Sequence, residues 1–534
     1  METRYSGFQK MVASAYLLLI LAVLPIYMKD GFYLLADAKY LLFRGISLIF
    51  LMLWLLGTLV SWGGWWWRHK SRPLRENRIE WGRMHAGFSG TDYFALGFAG
   101  ISFLSYLFSN YKDTAFVGYS GWYMGLLTQL FLVGGYFLVS RWYEEEKMIS
   151  GLIWLSASAV CLLGVLNRQG YDPLGTFADM DWWDWNRRNL LSTIGNINWY
   201  CGYLSVAFPL LLYCFWTEER WRRIPAGIAA FVGVAAVILQ GSSSGYIALL
   251  VTYVVLLFGS LQDMDLFLRF LEAVLLVPLF CFLAWATQMD LLLPYDMGGM
   301  IERICTPLWG IPLGILAVGI VSLRLIHRRS GKNYLKSGRI RKAVRILTIV
   351  AVIGAVAVFA GCQVSDSIWC FFGSPGFLRF DAEWGNMRGG LWTAAWNGFR
   401  RTDFVRKLYG VGPDCFARYF YEVEKIDIKV TGQWKEAIYA NAHNEWLNML
   451  INEGILGFVA YLGFFLSAFC RFWKNGRGNR RMTAGMMAVG AYVANQFFSF
   501  GQVVSTPLIF LVIAVCENEC RRKDAGKGNL DGRE

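Results

Sequence analysis

Residues Ile346 to Gly361 read ILTIVAVIGAVAVFAG, a run without a single charged side chain. At 1.5 Å rise per residue it crosses most of the roughly 30 Å hydrocarbon layer of a bilayer. Comparable runs recur along the whole chain, which is 56% hydrophobic and only 17% charged, with mean hydropathy +0.39. Such a composition excludes an ordinary soluble domain and specifies an all-α polytopic membrane protein. Spans are expected near 11–28, 40–62, 92–109, 121–140, 149–166, 195–216, 225–240, 244–260, 270–288, 307–325, 346–361, 451–471, 482–499 and 503–517. The expected fold is therefore a bundle of about 12–14 transmembrane helices. The first span follows Arg4 and Lys10 but is long for a signal-peptide core and lacks a small-x-small cleavage site, so it reads as an uncleaved helix.

Lys and Arg set the orientation. The N-terminus, the segments 68–83, 141–147, 220–223, 324–345 and 471–481, Arg269 and the C-terminal tail hold most of the 51 basic residues. Those segments alternate with poorly charged ones, which places both termini in the cytoplasm. The formal net charge of +13 is accordingly a topological signal and not a nucleic-acid footprint. Residues 1–361 carry the first eleven spans with short loops, 362–444 form one large extracytoplasmic loop, 445–520 hold the last spans and 521–534 a basic cytoplasmic tail.

The outer loop, at about 80 residues, exceeds a plain connection. Its aromatic residues, Trp384, Trp392, Trp396, Phe399, Tyr409, Phe416, Tyr419 and Trp434, are spread among charges, which argues for order. Between Arg388 and Phe399 the positions Leu391, Ala394, Ala395 and Gly398 share one helical face. The segment Leu408–Pro413 ends that helix with a Gly-x-Gly-Pro turn. A second outer loop, 167–198, carries Trp182, Trp183, Trp185, Arg187 and Arg188. Interfacial anchoring is the commoner use of such residues, sugar stacking the rarer. Cys161, Cys214, Cys281 and Cys470 fall in apolar runs as small hydrophobes. Cys362, Cys370 and Cys415 lie in the long loop, where an oxidised pair and free thiols are both open. No Cys/His spacing suggests a metal, and no cofactor is expected.

Four histidines are present. His69, His85 and His327 fall in basic cytoplasmic segments, whereas His443 stands where the long outer loop re-enters the membrane. Imidazole is the side chain best suited to take a proton from a sugar hydroxyl near neutral pH. Asn444, Asn448 and Asn452 follow at four-residue intervals, either as an amide ladder between helices or as the lining of a polar cavity. Glu445 and Glu453 flank that face, and either is placed to orient His443. Arg388 opens the helical part of the loop. It pairs with Asp381 or Glu383 at the surface, or grips pyrophosphate oxygens with two parallel hydrogen bonds. Arg400, Arg401 and Arg406 form a further basic cluster, suited also to lipid headgroups. The polar stretches Ser192–Asn198 and Gln240–Gly245 open two spans, as cavity lining or as small-residue packing.

The segment Asn441-Ala-His443-Asn-Glu-Trp-Leu-(x)5-Glu453-Gly-Ile-Leu-Gly457 resembles the signature of the O-antigen ligase/O-antigen polymerase superfamily. Upstream, Arg388-(x)3-Trp392-(x)2-Ala395-(x)13-Tyr409-Gly-Val-Gly-Pro413 resembles that family's outer-loop pattern, and Ser192–Asn198 and Ser242–Gly245 resemble two further landmarks in the expected order. The resemblance implies a GT-C-like, metal-independent glycosyltransferase in the bacterial cytoplasmic membrane. It would move or polymerise a glycan from an undecaprenyl-pyrophosphate-linked oligosaccharide onto a glycan, lipid or protein acceptor, with membrane lipid and no nucleic acid as its surroundings. It also implies His443 as the base and Arg388 as the group holding pyrophosphate, with Asn444, Asn198, Ser243, Arg303, Arg400 and Arg401 as substrate-binding candidates. The family often has an arginine where this chain has Ser243, so a second guanidinium must come from Arg303 or the 400–406 cluster. Two other readings compete. One is a peptidoglycan-type glycosyltransferase relying on an outer-loop carboxylate such as Asp414. The other is a transporter or flippase, against which stand the lack of an internal repeat and the scarcity of ionisable residues mid-span.

Overall fold

The computed structural model describes residues 2–531 apart from 70–86, 178–188, 289–298, 421–439 and the single positions 30, 33, 332, 334, 336, 337 and 477. His85, Trp182, Trp183, Trp185, Arg187, Arg188 and Trp434 lie outside the described residues. Every expected span folds as a helix. In chain order these are α1 (Glu2–Leu18), α2 (Leu35–His69), α3 (Gly90–Phe108), α4 (Leu126–Trp142), α5 (Lys147–Arg168), α6 (Ile197–Thr217), α7 (Arg223–Leu239), α8 (Ser243–Ser260), α9 (Met264–Gln288), α10 (Gly310–Ser330) and α11 (Gly338–Val364). After the long loop, which contains α12 (Trp384–Arg401), the chain returns through the short α13 (Glu445–Asn452) into α14 (Gly454–Asn475), α15 (Arg480–Asn495) and α16 (Thr506–Asp531). Among the described residues ten helical segments are long and apolar enough to cross a membrane. The protein is an all-α polytopic membrane protein.

Local chemistry explains where the helices begin and end. Ser89 and Asp92 form a reciprocal capping box at the start of α3. Gly331, in left-handed backbone, closes α10 behind the basic last turn His327–Arg329. Further in, α6 is apolar all round and sits in the centre, packed against α7 and α15. Around it α8 packs on α15, α14 on α3 and α16 on α4. Tyr461, Phe465, Tyr492 and Phe510 fill the space between the last three helices, with Phe464 stacked on Phe510 at 4.6 Å. By contrast α11 is peripheral: Leu347 is 67% and Val356 64% exposed, surface that only lipid can cover favourably.

The long loop is fixed by its own helix and turn. Gly385, Asn386 and Met387 adopt left-handed backbone, so the right-handed run of α12 begins at Arg388. Leu391, Ala395 and Gly398 form its buried face, as their spacing predicts. The cysteines are all free thiols, Cys362 and Cys415 buried and Cys370 exposed, so no pair in the loop is oxidised. The last two spans depart from their expected limits. The α15 helix stops at Asn495 and α16 starts at Thr506, because the intervening backbone turns aside to bond the start of α13: Gln496 O accepts from Glu445 N–H, and Gly501 N–H donates to the Glu445 carboxylate.

The Gly-x-Gly-Pro turn docks onto the end of α13. Val411 N–H and Gly412 N–H donate to the carbonyls of Ile451 and Asn452 at 3.0 and 2.9 Å. Ser102, Ser105 and Ser109, one face of α3, donate to Glu453, Asn452 O and Val411 O. Gly410 has φ 79° and ψ −169°, a region open almost to glycine alone, and a Cβ there would run into the Asn452 peptide. Gly410→Ala is therefore expected to cost about 2 kcal/mol or more. The check is a lowered unfolding midpoint in detergent, with Gly376→Ala, an exposed position open to a Cβ, staying near wild type.

Candidate functional site

The site is built on one tight turn. His443 has φ 47°, a left-handed conformation that a non-glycine residue adopts at a cost. Its neighbours hold it there. Ala442 N–H donates to Asn448 Oδ1 at 2.8 Å, and Ala442 O accepts from the Trp392 indole N–H on α12 at 3.1 Å. His443 N–H donates to Asn441 Oδ1 at 2.8 Å. The Phe500 ring meets the imidazole edge-on, with centroids 5.4 Å apart. Among the described residues Nδ1 of His443 finds no hydrogen-bond partner. Burial, reinforced by the positive charge of Arg388, pushes the imidazole down to about 4, so it is neutral and able to accept a proton at physiological pH.

Arg388 and His443 are thus brought together although 55 positions separate them. The guanidinium donates from Nη1 to Gly385 O at 3.0 Å and makes no ion pair with Asp381 or Glu383; among the described residues its buried Nε finds no partner. Burial lowers its pKa from the usual value, but a guanidinium remains a cation throughout the physiological range. On its other side Arg388 lies within electrostatic range of Cys201 on α6. The Cys201 thiol donates to Gln240 Oε1 at 2.9 Å, and Gln240 also bonds Ser242 of the following turn. Ser242 in turn donates to Asn198 Oδ1 at 3.4 Å. A polar tract, its first two steps bridged by electrostatic proximity and the rest by hydrogen bonds, therefore runs from His443 by way of Arg388 to the openings of α6 and α8.

The other sequence candidates fall at different distances from that tract. Asn444 is buried as the N-cap of α13, its amide oxygen taken by Trp446 and Leu447 N–H. Ser243, half exposed, is the first residue of α8 between buried Ser242 and Ser244. Arg303 is exposed on the short helix Gly299–Ile304, whose Ile301 side chain packs beside Gly241. Arg400 and Arg401 are exposed at the far end of α12, about 18 Å along the helix from Arg388. Neither glutamate orients the imidazole: Glu445 accepts from Gly501 N–H at 2.7 Å and Glu453 from Ser102 at 2.7 Å. Asp414 is likewise committed. Its Oδ2 accepts from Tyr119 and Met124 N–H and its Oδ1 from the Trp122 indole, which ties the long loop to the segment before α4.

Two features went unread in the sequence. Arg168, buried at the end of α5, donates to Leu239 O and Gln240 O, so a guanidinium supports the very turn where Ser243 stands. The backbone between α15 and α16 brings Gln496, Ser499, Gln502 and Ser505 into the interior with side-chain atoms that lack partners among the described residues. Their spacing between two apolar runs was the available signal. Beside α12 an apolar groove of about 430 Å³ is lined by Trp384, Trp392, Val493, Phe497 and Phe498. It lies against the same indole that bonds Ala442.

Fold and site together define a polytopic helical membrane protein with a neutral imidazole and a cation at the mouth of a polar tract. Residues 310–462 match the family model described as O-antigen ligase, a stretch that contains α11, α12, Arg388, the Gly-x-Gly-Pro turn and His443. That match supports the O-antigen ligase-related superfamily and, with it, a glycan-transferring membrane role in polysaccharide biosynthesis. No curated protein matches the chain.

An imidazole pushed down to about 4 gives a definite pH dependence. As pH falls through that value the imidazole takes a proton and stops accepting another, so kcat/KM, which reports the free enzyme, is expected to fall on the acid side there. Activity measured from pH 3 to 8 checks this.

Proposed function

We propose that the protein transfers a glycan from a polyprenyl-pyrophosphate donor of the undecaprenyl type to an acceptor hydroxyl at the outer face of the cytoplasmic membrane. The observation that carries this reading is the meeting of His443 and Arg388, a neutral buried imidazole next to a cation with unused donors. The apolar groove beside Trp384 and Trp392 suits a donor that arrives on a lipid. His443 takes the acceptor hydroxyl proton while the oxygen attacks the anomeric carbon. The new carbon–oxygen bond forms as the bond to pyrophosphate breaks, and the electron pair leaves with the diphosphate. Attack opposite the leaving group inverts the anomeric configuration. Arg388 binds the diphosphate oxygens through two parallel hydrogen bonds and stabilises the charge that grows there. Asn198, Ser242 and Ser243 line the tract beyond it, and Arg303 stands two residues from Ile301, whose side chain packs beside the Gly241 turn.

The test uses full-length protein in liposomes with a lipid-pyrophosphate oligosaccharide. His443→Ala is expected to lower turnover by about 10²–10⁴-fold with the protein still folded. Arg388→Ala should lower it by about 10²–10³-fold and weaken donor binding. Undiminished transfer by a folded His443→Ala protein contradicts the proposal.

A further inference from the structure

At the opposite end of the bundle a cavity of about 700 Å³ opens beside α11. Its position follows from two helices that reach both places. Gly259, in its wall, is at the end of α8, an 18-residue helix whose Ser243 end adjoins the polar tract. That length is about 27 Å, close to one hydrocarbon thickness. Trp473, also in the wall, is near the end of α14, which starts at the Gly-x-Gly-Pro turn. The cavity therefore belongs to the other membrane boundary and is separate from the site of His443.

Three cations face it. Arg341, Lys342 and Arg345 project from the first turns of α11, and among the described residues none of them pairs with a carboxylate. Arg345 stands over the Trp473 ring, 5.6 Å from its centroid, which holds the guanidinium at the rim. Nearby carboxylates are occupied elsewhere: Asp263 accepts from Asn333, and Asp265 faces His327. Thr483 and Gln262 add polar groups, while Phe258 and Met486 supply an apolar floor. A cationic rim over an apolar floor at a membrane boundary matches a phosphate carried on an acyl-chain anchor. Basic pockets between membrane helices recognise anionic headgroups on these terms.

We propose that this cavity binds the phosphate of an anionic phospholipid headgroup from the leaflet opposite to the His443 site. Arg341, Lys342 and Arg345 hold the phosphate oxygens, and Trp473 and Phe258 meet the start of the acyl chains.

The experiment is native mass spectrometry of the full-length protein supplied with phosphatidylglycerol or phosphatidylcholine. Wild type is expected to retain phosphatidylglycerol at least about 5-fold over phosphatidylcholine, a preference worth about 1 kcal/mol per the usual tenfold per 1.4 kcal/mol. The triple variant Arg341→Ala, Lys342→Ala, Arg345→Ala should lose that preference while eluting as a monodisperse species with the wild-type unfolding midpoint. If the triple variant fails to fold, Arg345→Gln alone should lower the preference at least twofold. Equal retention of both lipids by wild type overturns the proposal without any variant, as does an unchanged preference in a folded variant. Displacement of the lipid by millimolar inorganic phosphate assigns the site to soluble phosphate and overturns the lipid source.

Discussion

The peptide groups around His443 are bonded by two distant parts of the chain and by the helix that follows it, and the whole site depends on that clamp. The indole of Trp392 comes from α12 in the long loop, the Gln496 carbonyl from the turn between the last two long helices, and the Asn448 amide from the adjoining α13. Non-helical backbone near the membrane boundary is stable only when protein supplies the partners that water would otherwise provide. The left-handed conformation of His443 is paid for by those bonds. The same logic recurs at the Gly-x-Gly-Pro turn, where α3 offers three serine hydroxyls to the end of α13 and to the docked loop. Imidazole and guanidinium therefore meet only when all these segments are in place.

The long apolar runs made the helices legible, because periodic and uninterrupted hydrophobicity is the strongest signal a single sequence carries. The buried stripe Leu391, Ala395, Gly398 was equally plain. His443 stood out by its place at the end of the long loop, away from the basic segments that hold the other histidines, and Arg388 by opening the helical stretch. What stayed hidden was tertiary. Glu445 reads as a partner for the imidazole one residue away from its neighbour, yet it turns to Gly501, because a tight turn throws adjacent side chains in different directions. Gln496–Ser505 reads as the tail of one span and the head of another, yet it leaves helical geometry to meet α13. Arg168 reads as a boundary cation, yet it is drawn inward by two carbonyls freed where α7 ends. Only a partner from elsewhere in the chain distinguishes these outcomes, and no local pattern records it.

The last few helices carry most of the burden. The α8 helix runs from the polar tract, and α14 from the Gly-x-Gly-Pro turn, to the opposite boundary, so the bundle joins the candidate site at one end to a basic cavity at the other. At the periphery α10 and α11 are bathed in lipid and contribute little to the core, with few of the residues in their most apolar windows buried. Their place is to lead the chain to the outer loop and, at the start of α11, to present cations beside Trp473.

The most direct measurement is a structure of the full-length protein with a polyprenyl-pyrophosphate oligosaccharide bound. The account predicts the diphosphate against the Arg388 guanidinium, the prenyl chain along Trp384 and Trp392, and the anomeric carbon between the diphosphate and the His443 imidazole. A diphosphate seated away from Arg388, with His443 out of reach of the anomeric carbon, would contradict it.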